Sequence, residues 1–349
     1  MRVAVVGAGI VGACTAWALV RKGADVCLFE RKQPMAETSR ASSKLLHGGL
    51  RYLEGGHLRL VGKSLQARAT WLQQAPHLCQ PLRLLLPVYA GIGRPRWAVG
   101  LGIRLYDLLA RGSGFPHGQW LTADEVAVLQ PGLSRTGLKG AYAFYDAQMD
   151  DQALGNWVVQ QFCAAGGTLA CEHEVARIDD LDTYDRIVNA TGPWAFELRR
   201  TQDQAGVPPA YALDWVRGSH IMLDRRCHAA LLLQVPGEKR IFFVLPHQGR
   251  TLIGTTEVRQ TAPDNPGPSE EEIAYLLDAH NHYLSPYAAH SDVTDSFSGV
   301  RPLIRSANDP TDATREWAFE RVGKVLHIYG GKWTTAQLQG EEAATRILQ

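Results

Sequence analysis

The feature that most constrains this chain of 349 residues is a glycine-rich turn close to its start, GAGIVG at residues 7–12. A short apolar segment at 3–6 precedes the turn and predicts a strand, and residues 10–22 carry a helical pattern that breaks at Gly23. A second apolar segment at 26–29 predicts another strand. Because a G-x-G-x-x-G spacing between a strand and a helix is typical of dinucleotide-binding β-α-β units, the sequence predicts such a unit here.

Each glycine of this turn has its own expected role. Gly7 permits the tight turn, Gly9 lets the backbone approach a pyrophosphate, and Gly12 lets the helix pack closely on the strand. The phosphates would then lie at the helix N-terminus, where free N–H groups point outward. Glu30 ends the second strand and is predicted to accept hydrogen bonds from ribose hydroxyls. The alternative is an ordinary turn between a strand and a helix.

A second turn of small residues lies in YDRIVNATGPWA at residues 184–195. Residues 186–189 predict a buried strand, and Ala190, Thr191 and Gly192 leave room for another close approach to a nucleotide. The first turn serves NAD and FAD alike, whereas this late element resembles that of two-lobed flavoproteins that bind an extended FAD, a likeness that composition does not show. A strand that simply ends in a turn before a proline is the alternative.

Between these elements, the stretch TSRASSKLLHGGLRYLEGG at residues 38–56 combines many hydrogen-bond donors with four glycines. Hydroxyl groups can donate to phosphate or ribityl oxygens, and a glycine pair lets the backbone lie against a flat ring; the residues concerned are Thr38, Ser39, Ser42, Ser43, Gly48 and Gly49. Lys44, Arg51 and Arg59 supply positive charge nearby. From 58 to 74 the pattern predicts a helix.

Several blocks of the sequence, taken in order, resemble the FAD-dependent glycerol-3-phosphate dehydrogenases, which are part of the superfamily of D-amino-acid-oxidase-like flavoproteins. Besides TSRASSKLLHGGLRYLE, the blocks are FYDAQMDD (144–151), NATGPW (189–194), RGSHI (217–221), RIFFVLPHQGRTLIGTTEV (240–258), SGVRPL (298–303), ATREW (313–317) and YGGKWTT (329–335). The resemblance spans nearly the whole chain and implies FAD as the cofactor. Members of this family usually continue into a helical C-terminal domain, which we expect this chain to lack.

The resemblance also implies the residues of the site. A phosphate dianion calls for charged, preferably bidentate donors, and the residues implied to hold the phosphate or glycerol oxygens are Arg51, Tyr52, Arg315 and Lys332. Arg301 is implied to lie near the reacting carbinol, where it could stabilise alkoxide charge. His47 and His220 are both candidates for the base that takes the hydroxyl proton, and the sequence does not choose between them. Further cofactor contacts are implied for Arg31, Lys44, Leu45, His47, Val175, Gly331, Lys332, Thr334 and Thr335.

The predicted fold class is α/β, with a Rossmann-like FAD-binding domain and a second, mainly antiparallel β-sheet domain that binds the substrate. Alternating and β-branched apolar runs between the nucleotide elements indicate the second sheet. The FAD-binding domain is expected to be discontinuous, at residues 1–76, 140–205 and 295–349. The substrate-binding domain is expected at 77–139 and 206–294.

The implied reaction is the oxidation of sn-glycerol 3-phosphate to dihydroxyacetone phosphate, with hydride transfer to the flavin and onward transfer of electrons to quinone or a soluble carrier. One alternative keeps the flavin but oxidises another small hydroxy or amino acid, whose carboxylate the same cations would bind. Another is a flavin-binding protein without turnover. The presence of Arg51, Arg301, Arg315 and Lys332 together argues against this last alternative, because a dead site has no physical need for four cations that can be buried.

Composition narrows the partners and the location. Lys and Arg (36) nearly balance Asp and Glu (35), so charge gives no reason to expect nucleic acid. The cysteines and the HNH at 280–282 form no metal-ligand set, so no metal site is predicted. With no signal peptide and no spanning segment, a cytoplasmic protein is expected. Residues 93–112 interleave arginines with large apolar residues, which favours either a helix lying on the inner face of an anionic membrane or a helix packed on the second domain.

Overall fold

The computed structural model describes residues 1–202, 208–305 and 316–349. In these ranges the α-helices are α1 (Ile10–Arg21), α2 (Leu58–Gln74), α3 (Arg96–Leu109), α4 (Ala123–Leu129), α5 (Asp151–Ala164), α6 (Ala195–Arg200), α7 (Glu270–Tyr283) and α8 (Ala336–Leu348). The β-strands are β1 (Arg2–Val6), β2 (Asp25–Phe29), β3 (Leu45–Leu46), β4 (Cys79–Tyr89), β5 (Gln119–Thr122), β6 (Leu138–Met149), β7 (Thr168–Ala170), β8 (Arg186–Asn189), β9 (Leu213–Leu223), β10 (Ala230–Gln234), β11 (Ile241–His247), β12 (Arg250–Gly254), β13 (Val258–Gln260), β14 (Val293–Ile304), β15 (Trp317–Val322) and β16 (Val325–Gly330).

The first sheet has the strand order β15-β16-β8-β1-β2-β7, and its neighbours are parallel except for the outer pair β15-β16. The β-α-β unit predicted from the glycine turn is confirmed as β1, α1 and β2. Helices α1, α5 and α8 cover one face, where Leu19, Phe162 and Ile347 are fully buried. Helix α6 and residues 178–181 cover the other face. Cover on both faces explains why these strands are apolar runs without alternation.

The second sheet has the order β13-β9-β12-β11-β10-β4-β6-β3, with β14 also paired to β9 and β5 to β6. Its pairings are antiparallel apart from β10 with β4, which confirms the mainly antiparallel sheet. Helix α7 packs on it, with Leu276 and Tyr283 in the same core as Phe242 and Ile253. The helix begins with a capping box in which the side chain of Ser269 accepts from the N–H of the residue at the third helical position.

Sheet membership does not follow the predicted domain boundaries at every strand. Strands β3, β6 and β14 belong to the second sheet, although most of their residues lie in the segments 1–76, 140–205 and 295–349. These strands carry the chain between the two sheets, and a pattern of apolar residues does not reveal with which sheet a strand pairs. The division into two domains with those boundaries stays a prediction.

Candidate active site

Three of the predicted cofactor segments lie at one edge of the first sheet. Gly7 follows β1, Glu30 follows β2, and residues 190–192 follow β8. Because β1 pairs in parallel with both β2 and β8, the carboxyl ends of these strands adjoin one another. Ligands of open parallel sheets bind at such an edge.

The glycines of the first turn leave no space for side chains. Gly7 has a φ of 99°, which glycine adopts readily, and a Cβ there would lie 2.7 Å from the carbonyl oxygen of Ala190. A Cβ on Gly12 would lie 1.8 Å from the carbonyl oxygen of Gly7, and one on Gly9 would lie 3.1 Å from Oγ of Ser39. These glycines therefore let the turn pack closely on Ala190, Ser39 and its own backbone, while Gly7 and Gly9 stay partly exposed where a dinucleotide turn requires a close approach.

Glu30 and Ser39 are bonded to the turn itself. The carboxylate of Glu30 accepts the N–H groups of Ala8 (2.8 Å) and Lys32 (2.9 Å). Oγ of Ser39 accepts the N–H of Ile10 at 3.0 Å, which is one of the α1 donors predicted to face a phosphate. A carboxylate and a hydroxyl keep further hydrogen-bonding capacity, so contacts of both residues with ribose and phosphate oxygens stay predictions beside these structural bonds.

A buried hydrogen-bond chain supports the turn after β8. Oδ1 of Asn189 accepts from the hydroxyl of Thr191 (2.7 Å), and Nδ2 donates to the carbonyl of Ala195 (2.8 Å). Nδ2 also lies 2.9 Å from Nδ1 of His327, whose Nε2 lies 3.0 Å from Oε1 of Gln202. Burial lowers the pKa of His327 from 6.5 to about 4. The neutral ring satisfies both neighbours, because Nδ1 can accept from the amide and Nε2 can donate to the glutamine.

Hydroxyl groups at residues 38–42 attach this segment to neighbouring elements. The hydroxyl of Thr38 donates to the carbonyl of Val300 in β14 (2.8 Å). The hydroxyl and N–H of Ser42 donate to Oδ2 of Asp151 (2.7 and 3.0 Å). The sequence predicts these hydroxyl groups as donors to the cofactor, whereas in the structure they donate to the protein, because a segment that is packed between elements must satisfy its own polar groups. Cofactor contacts of Thr38 and Ser42 stay predictions, made through their remaining atoms.

Lys44 lies in a buried ion pair with Asp151, the first residue of α5. Its Nζ is 2.6 Å from Oδ1 of Asp151 and donates to the carbonyl of Arg40 at 2.6 Å. Burial raises the pKa of Asp151, and the ammonium of Lys44 opposes that rise. The side-chain charge of Lys44 is therefore engaged within the protein, and the cofactor contact predicted for this residue stays a prediction.

His220 lies in β9 with its ring enclosed. Its Nε2 is 2.9 Å from Oγ of Ser43, and the ring stacks on Phe297 with 4.9 Å between centroids. Nδ1 is buried and has no hydrogen-bond partner within the described ranges. Burial first, and then the charges of Arg301 and Lys44, lower the pKa of His220 well below 6.5. The ring is therefore neutral near pH 7, which is the form that a base requires.

The guanidinium of Arg301 lies against Gly218, two residues before His220 in β9. A Cβ on Gly218 would lie 2.1 Å from a terminal nitrogen of Arg301, so a larger residue would displace the cation. Arg301 donates to Oγ1 of Thr255 at 2.8 Å, and its other terminal nitrogen lies 3.7 Å from the carboxylate of Glu257. The structure thus places one predicted catalytic cation close to one predicted catalytic histidine.

A second group of predicted residues meets at the turn after β16. The N–H of His47 donates to Oγ1 of Thr334 at 3.2 Å. Nζ of Lys332 lies 5.1 Å from the ring centroid of Tyr52, a cation–π distance. Thr335 is fully buried and donates its hydroxyl to the carbonyl of Lys332 at 3.3 Å. Two predicted substrate residues, Tyr52 and Lys332, are therefore adjacent.

The remaining predicted residues surround these groups. Arg31 stacks on a tryptophan ring at 4.0 Å, Leu45 is buried in β3, and Val175 packs half-buried under the first sheet. Arg51 is partly exposed in the short helical turn that follows the glycine pair, and Arg315 lies outside the described residues. Among the residues that the structure describes, no three His, Cys, Asp or Glu come together in a way that could hold a metal ion.

Some functional candidates were not singled out from the sequence. Asp151 anchors residues 42–44, and Asp146 of β6 and Tyr106 of α3 anchor the turn at 47–49. Their partners lie between 40 and 109 residues away in the chain, so no local pattern marks them. Both aspartates lie in the block FYDAQMDD, so the resemblance of that block could have marked them as candidates.

Comparisons with known proteins agree with this geometry. A profile of the family described as FAD dependent oxidoreductase (DAO) matches residues 2–346. The aerobic glycerol-3-phosphate dehydrogenase of Escherichia coli is 32% identical over 372 residues, which are 98% of this chain and 72% of that protein. The glycerol-3-phosphate dehydrogenase of Pseudomonas aeruginosa is 34% identical over 375 residues, 99% of this chain and 71% of that protein.

The fold is shared with a solved structure. The glycerol-3-phosphate dehydrogenase of Bacillus halodurans complexed with FAD superposes with a TM-score of 0.75 at 23% identity. The match covers 100% of this chain and 64% of the other, so this chain spans just under two-thirds of that protein. At this level of identity, the likeness establishes the fold alone.

Proposed function

The chain belongs to the DAO family of FAD-dependent oxidoreductases, and on that premise we propose that it oxidises sn-glycerol 3-phosphate to dihydroxyacetone phosphate. The observation that carries the proposal is the adjacency of Lys332 and Tyr52 beside His47, where a phosphorylated alcohol would find a cation and a hydroxyl together. Relatives named glycerol-3-phosphate dehydrogenase, similar over nearly the whole chain, favour this substrate over another hydroxy or amino acid.

The residues present fit FAD. The glycine turn offers partly exposed backbone at Gly7 and Gly9 at the carboxyl edge of the first sheet, and the turn after β8 lies beside it. Near the second sheet, Nδ1 of His220 is buried and has no hydrogen-bond partner among the residues that the structure describes, so a polar group of a ligand would complete that site. When bound, FAD supplies the acceptor for the two electrons of the alcohol. Gly7, Gly9 and the residues 190–192 would hold its pyrophosphate, and the segment 38–49 would follow it toward its ring.

Charged side chains would bind and orient the substrate. We assign the phosphate to Lys332, Arg51 and Arg315, because a dianion is held best by several charged donors, and arginine adds a planar fork. Tyr52 would donate its hydroxyl to the same group or to a glycerol oxygen. Fixing the phosphate in this way leaves the carbinol at a defined distance from the ring.

His220 is the stronger candidate for the base. Its ring is neutral, its Nδ1 is buried without a partner in the described part of the chain, and the guanidinium of Arg301 lies nearby. His220 would take the hydroxyl proton at Nδ1, which requires that the bound alcohol reach this buried atom, while Arg301 would stabilise the negative charge that develops on the oxygen. The N–H of His47 is bonded to Thr334, which supports a role for His47 in shaping the turn.

Anaerobic mixing of the FAD-loaded protein with glycerol 3-phosphate tests the proposal. Bleaching of the flavin absorbance at a low substrate concentration is the expected result. Bleaching by a small hydroxy or amino acid, with no response to glycerol 3-phosphate, would show that the substrate is a carboxylate instead. A flavin that no substrate of either class bleaches would indicate a binding protein without turnover.

Helix α3 supports a proposal about location. Trp97, Leu101 and Leu108 are exposed along this helix, and Arg94, Arg96 and Arg104 are exposed beside them. The charges suit anionic lipid headgroups, and the apolar side chains suit the boundary beneath them. No helix in the described ranges is long and apolar enough to cross a bilayer. Our proposal is peripheral contact with the cytoplasmic face of a membrane, where quinone or a soluble carrier would take the electrons.

A further inference from the structure

We infer that Tyr106 is a positioning residue for the flavin, acting through the backbone of Gly48. This inference rests on the proposed function, because it assigns the turn at residues 47–49 to the neighbourhood of the flavin ring. Tyr106 belongs to α3, far in sequence from the glycine turns, and its side chain is 1% exposed. Its hydroxyl accepts the N–H of Gly48 at 2.8 Å and donates to Oδ1 of Asp146 at 2.7 Å.

The network around this hydroxyl is closed to water. Oδ1 of Asp146 also accepts from Arg68 at 2.7 Å, and Arg68 donates from the same nitrogen to the carbonyl of Tyr145 at 2.8 Å. The side chains of Arg68 and Asp146 are 0% and 4% exposed. Burial raises the pKa of Asp146, and the guanidinium of Arg68 opposes that rise. Burial also raises the pKa of Tyr106 well above 10, so its hydroxyl keeps its proton.

A buried ion pair of this kind is weak evidence for stability. Replacing such a pair with apolar side chains of similar volume often leaves the free energy of unfolding unchanged or raises it, because removing two charges from water is costly. What the polar network supplies is a fixed direction for hydrogen bonds. In this protein the network orients the Tyr106 hydroxyl toward the backbone N–H of Gly48. The same N–H also donates to Oδ1 of Asp146 at 3.2 Å.

Each residue of the turn at 47–49 is constrained by a hydrogen bond or by a close contact. The N–H of His47 donates to Thr334, and a Cβ on Gly48 would lie 2.5 Å from the hydroxyl of Tyr106. Gly49 has a φ of 82°, and a Cβ there would lie 2.2 Å from the ring of Tyr52. A small rotation of the Gly48 peptide would therefore move the candidate substrate residue Tyr52 on one side and His47 on the other.

Replacing Tyr106 with phenylalanine tests the inference, because it removes the hydroxyl and keeps the ring in its core. Tyr89→Phe is the control: that hydroxyl donates one partly buried hydrogen bond, to the carbonyl of Ser134 at 2.9 Å, in a core of the second sheet away from the turn, whereas the hydroxyl of Tyr106 makes two. Both variants should lose a few degrees of Tm, and Tyr106→Phe should lose more. For Tyr106→Phe alone, we expect FAD binding about fivefold weaker, altered visible circular dichroism of the bound flavin, and faster amide exchange at Gly48.

A second variant separates positioning from stability. Asp146→Asn keeps an oxygen that can accept from Tyr106 and Gly48 but leaves Arg68 without its counterion, so it should lower Tm more than Tyr106→Phe and alter the flavin spectrum less. A larger spectral change in Asp146→Asn than in Tyr106→Phe would overturn the inference.

The two hypotheses fail in distinguishable ways. If the unmodified protein binds FAD, and Tyr106→Phe matches Tyr89→Phe in FAD affinity, spectrum and amide exchange, Tyr106 is structural and the proposed function stands. If the unmodified protein does not bind FAD, both the proposed function and the positioning role are wrong. The readouts use FAD alone, so they do not depend on which alcohol is oxidised.

Discussion

Lys44 and Asp151 form an ion pair with 2.6 Å between Nζ and Oδ1, and their side chains are only 11% and 1% exposed. The pair ties the segment 38–44 to the start of α5. Asp151→Asn should lower the free energy of unfolding by about 3 kcal/mol, because it leaves an ammonium buried without its counterion. Chemical denaturation measures the change. The exposed pair Arg135–Asp124 offers a control, and Asp124→Asn should cost less than about 1 kcal/mol. Equal losses in the two variants would show that burial does not strengthen the Lys44 pair.

Arg51→Ala should weaken the binding of glycerol 3-phosphate by about tenfold or more, because it removes one charged hydrogen bond to the phosphate. Steady-state kinetics measure this as a rise in KM. Arg59, eight residues later and exposed in the first turn of α2, provides the control, and Arg59→Ala should leave KM unchanged. Unchanged constants in Arg51→Ala would remove this residue from the site.

The pH dependence of kcat/KM should report the neutral state of His220. Because its pKa is lowered well below 6.5, the base is already deprotonated at pH 6.5, and the rate should stay level from about pH 8 down past pH 6.5 before it falls. His220→Asn should lower kcat by about a hundredfold or more. The exposed His77 is the control, and His77→Gln should keep the profile. An acid limb centred at or above pH 6.5 would argue against His220 as the base.

Acid should destabilise the protein through His327. Its pKa is lowered from 6.5 to about 4, so the unfolded chain binds a proton more readily than the folded protein between these values. Stability is therefore full above about pH 6.5 and falls as the pH drops toward 4, by about 3 kcal/mol for this group. His327→Gln keeps an acceptor for Asn189 and a donor for Gln202. In this variant the free energy of unfolding should fall less between pH 6.5 and 4, as urea denaturation at several pH values would measure. The same change at the exposed His290 should leave the pH dependence of the free energy of unfolding unchanged.

Leu101→Asp should weaken binding to vesicles that contain anionic lipid, because it places a carboxylate on the exposed apolar face of α3, where it would meet negative headgroups. Co-sedimentation with vesicles measures the effect. Val128, 80% exposed on α4, provides the matched position, and Val128→Asp should bind vesicles normally. Equal vesicle binding by both variants and the unmodified protein would show that α3 is an ordinary surface helix that does not bind the membrane.

Local elements could be predicted from the sequence because their signals are local. Helix α2 begins and ends where the apolar spacing places it, at Leu58 and Gln74. The glycine spacing located β1, α1 and β2 within a residue of their bounds. Strand partners are set by packing between distant segments, and this is why the sequence did not indicate that β14 joins the second sheet.

The candidate site shows the same limit. The motifs named residues whose chemistry is visible in a short stretch, such as Ser43, His220 and Lys332. They did not reveal that Lys44 is neutralised by Asp151, or that Tyr106 reaches Gly48 from another helix, because each contact joins residues that are unrelated in sequence. The side chain of Arg40 is exposed while its carbonyl accepts from Lys44, and nothing in the structure explains an arginine at this position.

The order of strands in the first sheet has a consequence for biosynthesis. Val3 in β1 pairs with Arg186 in β8, and Ile187 in turn pairs with Val325 in β16. A ribosome releases β1 and β2 long before β8 and β16, so the edge of β1 that pairs with β8 stays open during much of translation. We therefore expect the glycine turn to acquire its final shape, and the cofactor to bind, only after synthesis of β16.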